Sequence, residues 1–136
     1  MFRYLASAVT CAALIAPAAH ARTFFQDLNL QVNAVGAGQF EVIERRGAGP
    51  RDVWCAAAKY AQQRLGQQRG RIYVAVPRGP ARTVAGRSGV TFTTQAPATA
   101  VSTGVQITTR VAGASLPVNH AIQFCRDRII EPEDRF

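Results

Sequence analysis

Residues 47–76, GAGPRDVWCAAAKYAQQRLGQQRGRIYVAV, decide the fold class of this 136-residue chain. Pro50 follows a glycine-rich break and suits the first helical position, where no N–H is needed. Asp52 in the first turn and Arg64 in the last complement the helix dipole, and Gly66 is the stop. Trp54, Ala58, Ala61 and Leu65 recur between them at helical spacing, with Ala57 beside the stripe. The alanines allow close approach to a sheet, and Trp54 reads as a core anchor. Beyond the polar link Gln67–Gly70 the period changes from helical to two. Ile72, Val74 and Val76 form one face of a strand and Tyr73 and Ala75 the other, an apolar run that suits a position covered on both sides. Pro77-Arg78-Gly79-Pro80 ends it.

Upstream, Leu28, Leu30 and Val32 alternate with polar residues. After a turn holding Gly36 and Gly38, Phe40 and Val42 flank Glu41 before Ile43, so the two runs read as a hairpin. Downstream, Val90 and Phe92 alternate with Thr91 and Thr93. A loop rich in Ala, Thr and Pro spans Gln95 to Gly104, and Val105, Ile107 and Val111 make a further strand with a polar reverse face. Val118, Ala121, Ile122 and Cys125 then return to helical spacing, continued by Ile129. The order is ββαβββα: an α+β fold with a small antiparallel sheet of about five strands and two helices.

The two ends set the compartment and the domain bounds. Arg3, an apolar stretch from Leu5 to Ala16, Pro17 and the small-residue site Ala19-His20-Ala21 predict a cleavable signal peptide over residues 1–21, with the mature chain starting at Arg22. The apolar stretch is too short for a membrane anchor, which needs roughly 20 residues. Cys11 lies inside it, with flanks unsuited to lipid attachment. A single domain is expected over residues 22–130 and a solvated tail over 131–136, with no membrane span in the mature chain and a periplasmic or secreted location. Cleavage also removes Cys11 and leaves Cys55 and Cys125, an even pair that an oxidising compartment makes a disulfide. Free thiols are the weaker reading. A metal site is weaker still, because His120 is the only mature histidine and no CxxC is present.

The chain carries 16 Lys and Arg against 8 Asp and Glu, a formal charge of +8, and loss of Arg3 with the leader lowers it to +7. No acidic residue lies between Asp52 and Asp127, where Lys59, Arg64, Arg69, Arg71, Arg78, Arg82, Arg87, Arg110 and Arg126 all fall. Such a field draws anionic partners, and arginine's planar fork fits phosphate and carboxylate. The alternative is a charged, solvated surface that serves solubility.

Most catalytic constellations are excluded by counting. One mature histidine and no G-x-S-x-G motif exclude a serine triad of the usual form. The acids lie near the chain ends rather than paired, and there is no phosphate-binding glycine loop with its lysine. No cofactor and no metal are expected. Trp54-Cys55 and Asn119-His120-Ala121 resemble, in order, the cysteine-histidine peptidoglycan amidases and endopeptidases. In those enzymes a cysteine opening a helix is the nucleophile and a later histidine its base, so the resemblance implies Cys55 and His120 in these roles. It departs from the family in placing His120 in a helical pattern, not on a strand, and a Cys55–Cys125 bridge would remove the nucleophile. A second candidate is the segment in which Arg78, Arg82 and Arg87 lie among Pro77, Gly79, Pro80, Gly86 and Gly89, where backbone N–H groups and guanidinium groups can meet a phosphate, sulfate or carboxylate. The expectation is a non-enzymatic exported domain binding an anionic cell-envelope component. Nucleic acid is not the expected partner, since the aromatics read as buried rather than interleaved with the arginines. The other readings are the cysteine-histidine hydrolase and a structural or protein-interaction domain without a discernible ligand.

Overall fold

The computed structural model describes residues 24–25, 30–100 and 107–130. The expected signal peptide over residues 1–21 and the expected tail over 131–136 lie outside them, as do Leu28 and Val105. The chain runs β1 (Phe24–Phe25), β2 (Gln31–Gly36), β3 (Gln39–Ile43), α1 (Pro50–Gln63), β4 (Arg71–Pro80), β5 (Ser88–Thr93), β6 (Ser115–Pro117), α2 (Val118–Ala121) and α3 (Gln123–Ile130). The strands form one sheet in the order β1-β2-β3-β5-β4-β6, with every pairing antiparallel. This is the expected α+β architecture, tied by the expected disulfide. Because β3 and β4 both run antiparallel to β5, they are parallel to each other. The β3–α1–β4 connection is thus a split β-α-β unit with β5 inserted in the gap.

Cross-strand register explains the core. Val32, Val42 and Val90 line up across β2, β3 and β5, and Phe40, Phe92 and Val74 line up across β3, β5 and β4. All six are fully buried on the face that receives α1. Trp54 meets Phe92 edge-on at 5.0 Å between ring centroids, and Phe40 lies 4.5 Å from Tyr60. Ala57, Ala58 and Ala61 bring the helix backbone down onto these rings. Gly49 is the N-cap, and its N–H donates to the Asp52 carboxylate at 2.8 Å, which satisfies an amide left over at the helix start. Gly66 ends the helix with φ +66°, and the Gln67 N–H donates back to the Ala61 carbonyl at 2.9 Å. Leu65 falls past this end and is 38% exposed, so the apolar stripe closes at Ala61.

Three local readings are corrected. Val76 does not share a face with Ile72 and Val74. Val74 pairs with Phe92 and Val76 with the adjacent Thr91, so Ala75 is an extra residue and the bulge turns Val76 to the opposite side, 41% exposed. Residues 107–111 are not a strand; the ladder forms instead at Ser115–Pro117. Segment 109–114 still follows β4, through the bonds Arg78 N–H to Thr109 O, Gly113 N–H to Val74 O and Val74 N–H to Ala114 O. Gly113, at φ +83°, takes the backbone out of the extended conformation. The last helix breaks at Ile122 into α2 and α3, and Phe124 joins Val118 and Ala121 as its buried contacts. Among the described residues no helix is long and apolar enough to cross a membrane.

Cys55 on α1 is bonded to Cys125 on α3, with S–S 2.05 Å and Cα–Cα 5.1 Å, across a separation of 70 residues. Around it Phe124 packs on His120 at 5.7 Å and takes the Arg51 guanidinium over its ring, also at 5.7 Å. The bridge thus ties α3 covalently to α1, beside the contacts of Phe124. Replacing both cysteines by serine should lower stability by about 2–4 kcal/mol. Urea unfolding of the mature chain measures this as a fall in midpoint, with the bridged form as reference.

Candidate functional site

Period-2 alternation places Asn33, Glu41 and Thr91 in register on the sheet face away from α1. These polar residues are nonetheless buried, Glu41 to 1% exposure. A buried carboxylate is tolerated only where donors satisfy it, and the β4–β5 loop supplies them. The Arg82 N–H donates to Glu41 Oε2 at 2.7 Å. The Thr83 N–H and Oγ1–H donate to Oε1 at 2.9 and 2.6 Å. Thr83 Oγ1 in turn accepts from Asn33 Nδ2 at 2.8 Å, and Asn33 Oδ1 accepts from Gln31 Nε2 at 3.1 Å. The Ala81 N–H closes the loop on the Arg87 carbonyl at 2.7 Å. Residues 81–87 are therefore laid over the second face of the sheet with their backbone anchored at Glu41.

Glycine at position 89 makes room for that anchor. It pairs with Ile43, and a Cβ there would stand 3.2 Å from Cγ and Cδ of Glu41 and 3.1 Å from the Val42 carbonyl oxygen.

A second glutamate, through its carboxylate and its backbone carbonyl, holds two of the arginine side chains. Glu44 follows β3, and its N–H donates to the Ser88 carbonyl at 2.8 Å, which fixes it at the start of β5. Arg78 Nε reaches Glu44 Oε2 at 2.7 Å, and Arg87 Nη2 donates to the Glu44 backbone carbonyl at 2.7 Å. The structure thus brings Arg78 and Arg87 together on one residue. Arg82 is placed by its own main chain on the same loop, with its side chain exposed. Arg45 and Arg46, both exposed, follow Glu44 directly in the chain. This end of the sheet holds five arginines. Two carboxylates among the described residues bond to this segment, Glu44 to Arg78 and Glu41 to the loop backbone.

The sequence alone singled out the three arginines and missed their organisers. Glu41 reads from the pattern as the polar residue alternating with Phe40 and Val42, and Glu44 draws no reading. Nothing local says that residues about forty positions later fold back onto them.

At the other candidate, Cys55 is 4% exposed and bonded to Cys125, so the thiolate nucleophile implied by the hydrolase resemblance is absent in this state. His120 is half-buried on α2 and packs edge-on against Phe124. Among the described residues no three His, Cys, Asp or Glu side chains gather to hold a metal. No family model, curated protein or solved structure matches the chain.

Gly89→Ala tests how closely the loop anchor is packed. The added methyl must displace either the β3 backbone or the Glu41 side chain, and overpacking of this kind costs about 1–3 kcal/mol. A lowered urea midpoint with unchanged far-UV circular dichroism is the expected result.

Proposed function

We propose that the chain is an exported, soluble, non-enzymatic domain that binds an anionic component of the cell envelope through Arg78, Arg82 and Arg87. The observation that carries this reading is the pair of contacts to Glu44: each takes one N–H donor from Arg78 or Arg87. A guanidinium has five such donors in a rigid fork, so both groups keep most of their capacity while losing much of their freedom. Fixed guanidinium groups beside further exposed arginines suit a ligand with several negative groups, which would meet little entropic resistance on binding. The disulfide supports export, because such bonds persist in oxidising compartments. In this reading residues 1–21 are removed on export and the protein works in the periplasm or outside the cell.

A protein-interaction role without anion preference has one observation in its favour. Val76 and Val111 are 41% and 45% exposed on neighbouring stretches of chain. Two valines are a small patch beside the arginine cluster.

Export is tested by N-terminal sequencing of the protein recovered from periplasm or medium. A start at Arg22 is expected, and a full-length chain retained in the cytoplasm with both thiols reduced overturns it. Binding is tested with inorganic polyphosphate as the probe, titrated at several salt concentrations. Changing Arg78, Arg82 and Arg87 together to Ala should weaken binding at least about tenfold and flatten the salt dependence. Changing Arg69, Arg110 and Arg126 together to Ala removes the same charge from other exposed positions and should have a much smaller effect. Equal losses in the two triple variants would show a response to net charge alone.

A further inference from the structure

We infer that Glu41, a carboxylate sealed inside the protein, is the positioning residue of the arginine site. It acts by fixing the β4–β5 loop in the one conformation that presents Arg82 and Arg87 beside Arg78. The inference rests on the anion-binding reading above and assigns to that site a residue of the opposite charge to its ligand.

Three features support the role. The first is which groups Glu41 binds. Two of its three donors are backbone N–H groups of consecutive residues, Arg82 and Thr83, so it grips the main chain of the loop rather than neutralising an arginine side chain. The third donor, the Thr83 hydroxyl, is itself oriented by Asn33, which joins the loop to β2 as well as β3. The second is the fit of charge to donors. A carboxylate accepts at both oxygens and donates nothing, and every contact here is a donor pointing at it. The third is burial. At 1% exposure Glu41 exchanges no contact with solvent, and bonds in such surroundings are strong and directional. The loop therefore has its conformation set from below by Glu41 and its closure by the Ala81-to-Arg87 bond, while Glu44 holds the two outer guanidinium groups.

This arrangement separates positioning from simple electrostatics. Removing a negative charge next to a cationic site should tighten anion binding if the field alone matters. If Glu41 positions the loop, removing it should weaken binding. Glu41→Gln keeps the shape but turns one oxygen into an N–H₂ group that faces donors. Whichever way the new amide turns, either the Arg82 N–H or the Thr83 donors lose their acceptor and face an N–H₂ group instead, and the loop loosens.

The experiment compares the mature wild type with Glu41→Gln, using inorganic polyphosphate as the probe and native-state hydrogen exchange of the Arg82 and Thr83 amides as the structural readout. The expected result is protected amides in the wild type, faster exchange at both positions in the variant, and affinity reduced about fivefold although the net charge has risen by one. Affinity equal to or tighter than wild type, with fast amide exchange, overturns the positioning role. No binding by the wild type overturns the anion-site reading itself, and slow exchange at Arg82 and Thr83 in that case still shows the loop anchor intact. Thr83→Val, which deletes one of the three bonds, carries the same comparison if Glu41→Gln fails to fold, and Thr83→Ser should bind as the wild type does.

Discussion

The packing of β5 between β3 and β4 is the constraint on which the rest of this structure depends. Every residue from Gly89 to Thr93 is buried, so the strand is closed on both faces. On one face Val90 and Phe92 meet α1 through Trp54, which is fully buried. On the other, Thr91 is covered although its neighbour across β3 is a glutamate. A strand hidden on both sides must have an apolar partner layer or satisfied polar groups on each. The molecule uses the first solution toward the helix, where Trp54 Nε1 is buried without an acceptor, and the second toward the loop for Glu41, whose carboxylate is met by three donors, while Thr91 Oγ1 stays buried without a partner among the described residues.

This division explains which parts of the fold could be read in advance. The helix, the β2–β3 hairpin and β5 each state their structure locally. Pro50 and Gly66 bracket α1, and the alternation of Phe40, Glu41 and Val42 or of Val90, Thr91 and Phe92 names a buried face. Where the periodicity depends on tertiary pairing it misleads. Ile72, Val74 and Val76 look equivalent, yet the bulge at Ala75 is set by the register of β4 against β5 and sends Val76 outward. The apolar spacing of Ile107 and Val111 suggests a strand, but the ladder forms where residues can pair with Arg71, Ile72 and Tyr73, and those partners are Ser115–Pro117.

The site was half legible for a related reason. Arginines declare themselves by charge, and the run without an acid from Asp52 to Asp127 drew attention to Arg78, Arg82 and Arg87. Their organisers lie outside that run. Glu41 belongs to an earlier strand and Glu44 directly follows it, and they reach Arg78 and the loop only because β3 and β5 are neighbours, at separations of 34 to 43 residues. Composition along the chain thus exaggerates the isolation of the basic segment. In space Glu41 accepts from the loop backbone inside the protein, and the Glu44 carboxylate pairs with Arg78.

The same geometry explains why a glutamate is retained where an apolar residue would close the sheet more simply. Burying a carboxylate gains little stability, since desolvation offsets much of what its bonds return. Its distinctive contribution is specificity of conformation. An apolar residue at position 41 would cover Thr91 and Gly89 but offer no acceptor to the loop, and Gly79, Gly86 and the exposed arginines would leave residues 81–87 with little else to define them. The disulfide and the aromatic cluster lie on the helix side, where they hold the layers together. Glu41 lies on the opposite side and sets the shape of a loop that has almost no core of its own. A domain of this size can thus keep its stability on one face of the sheet and reserve the other for a precisely held, strongly cationic surface.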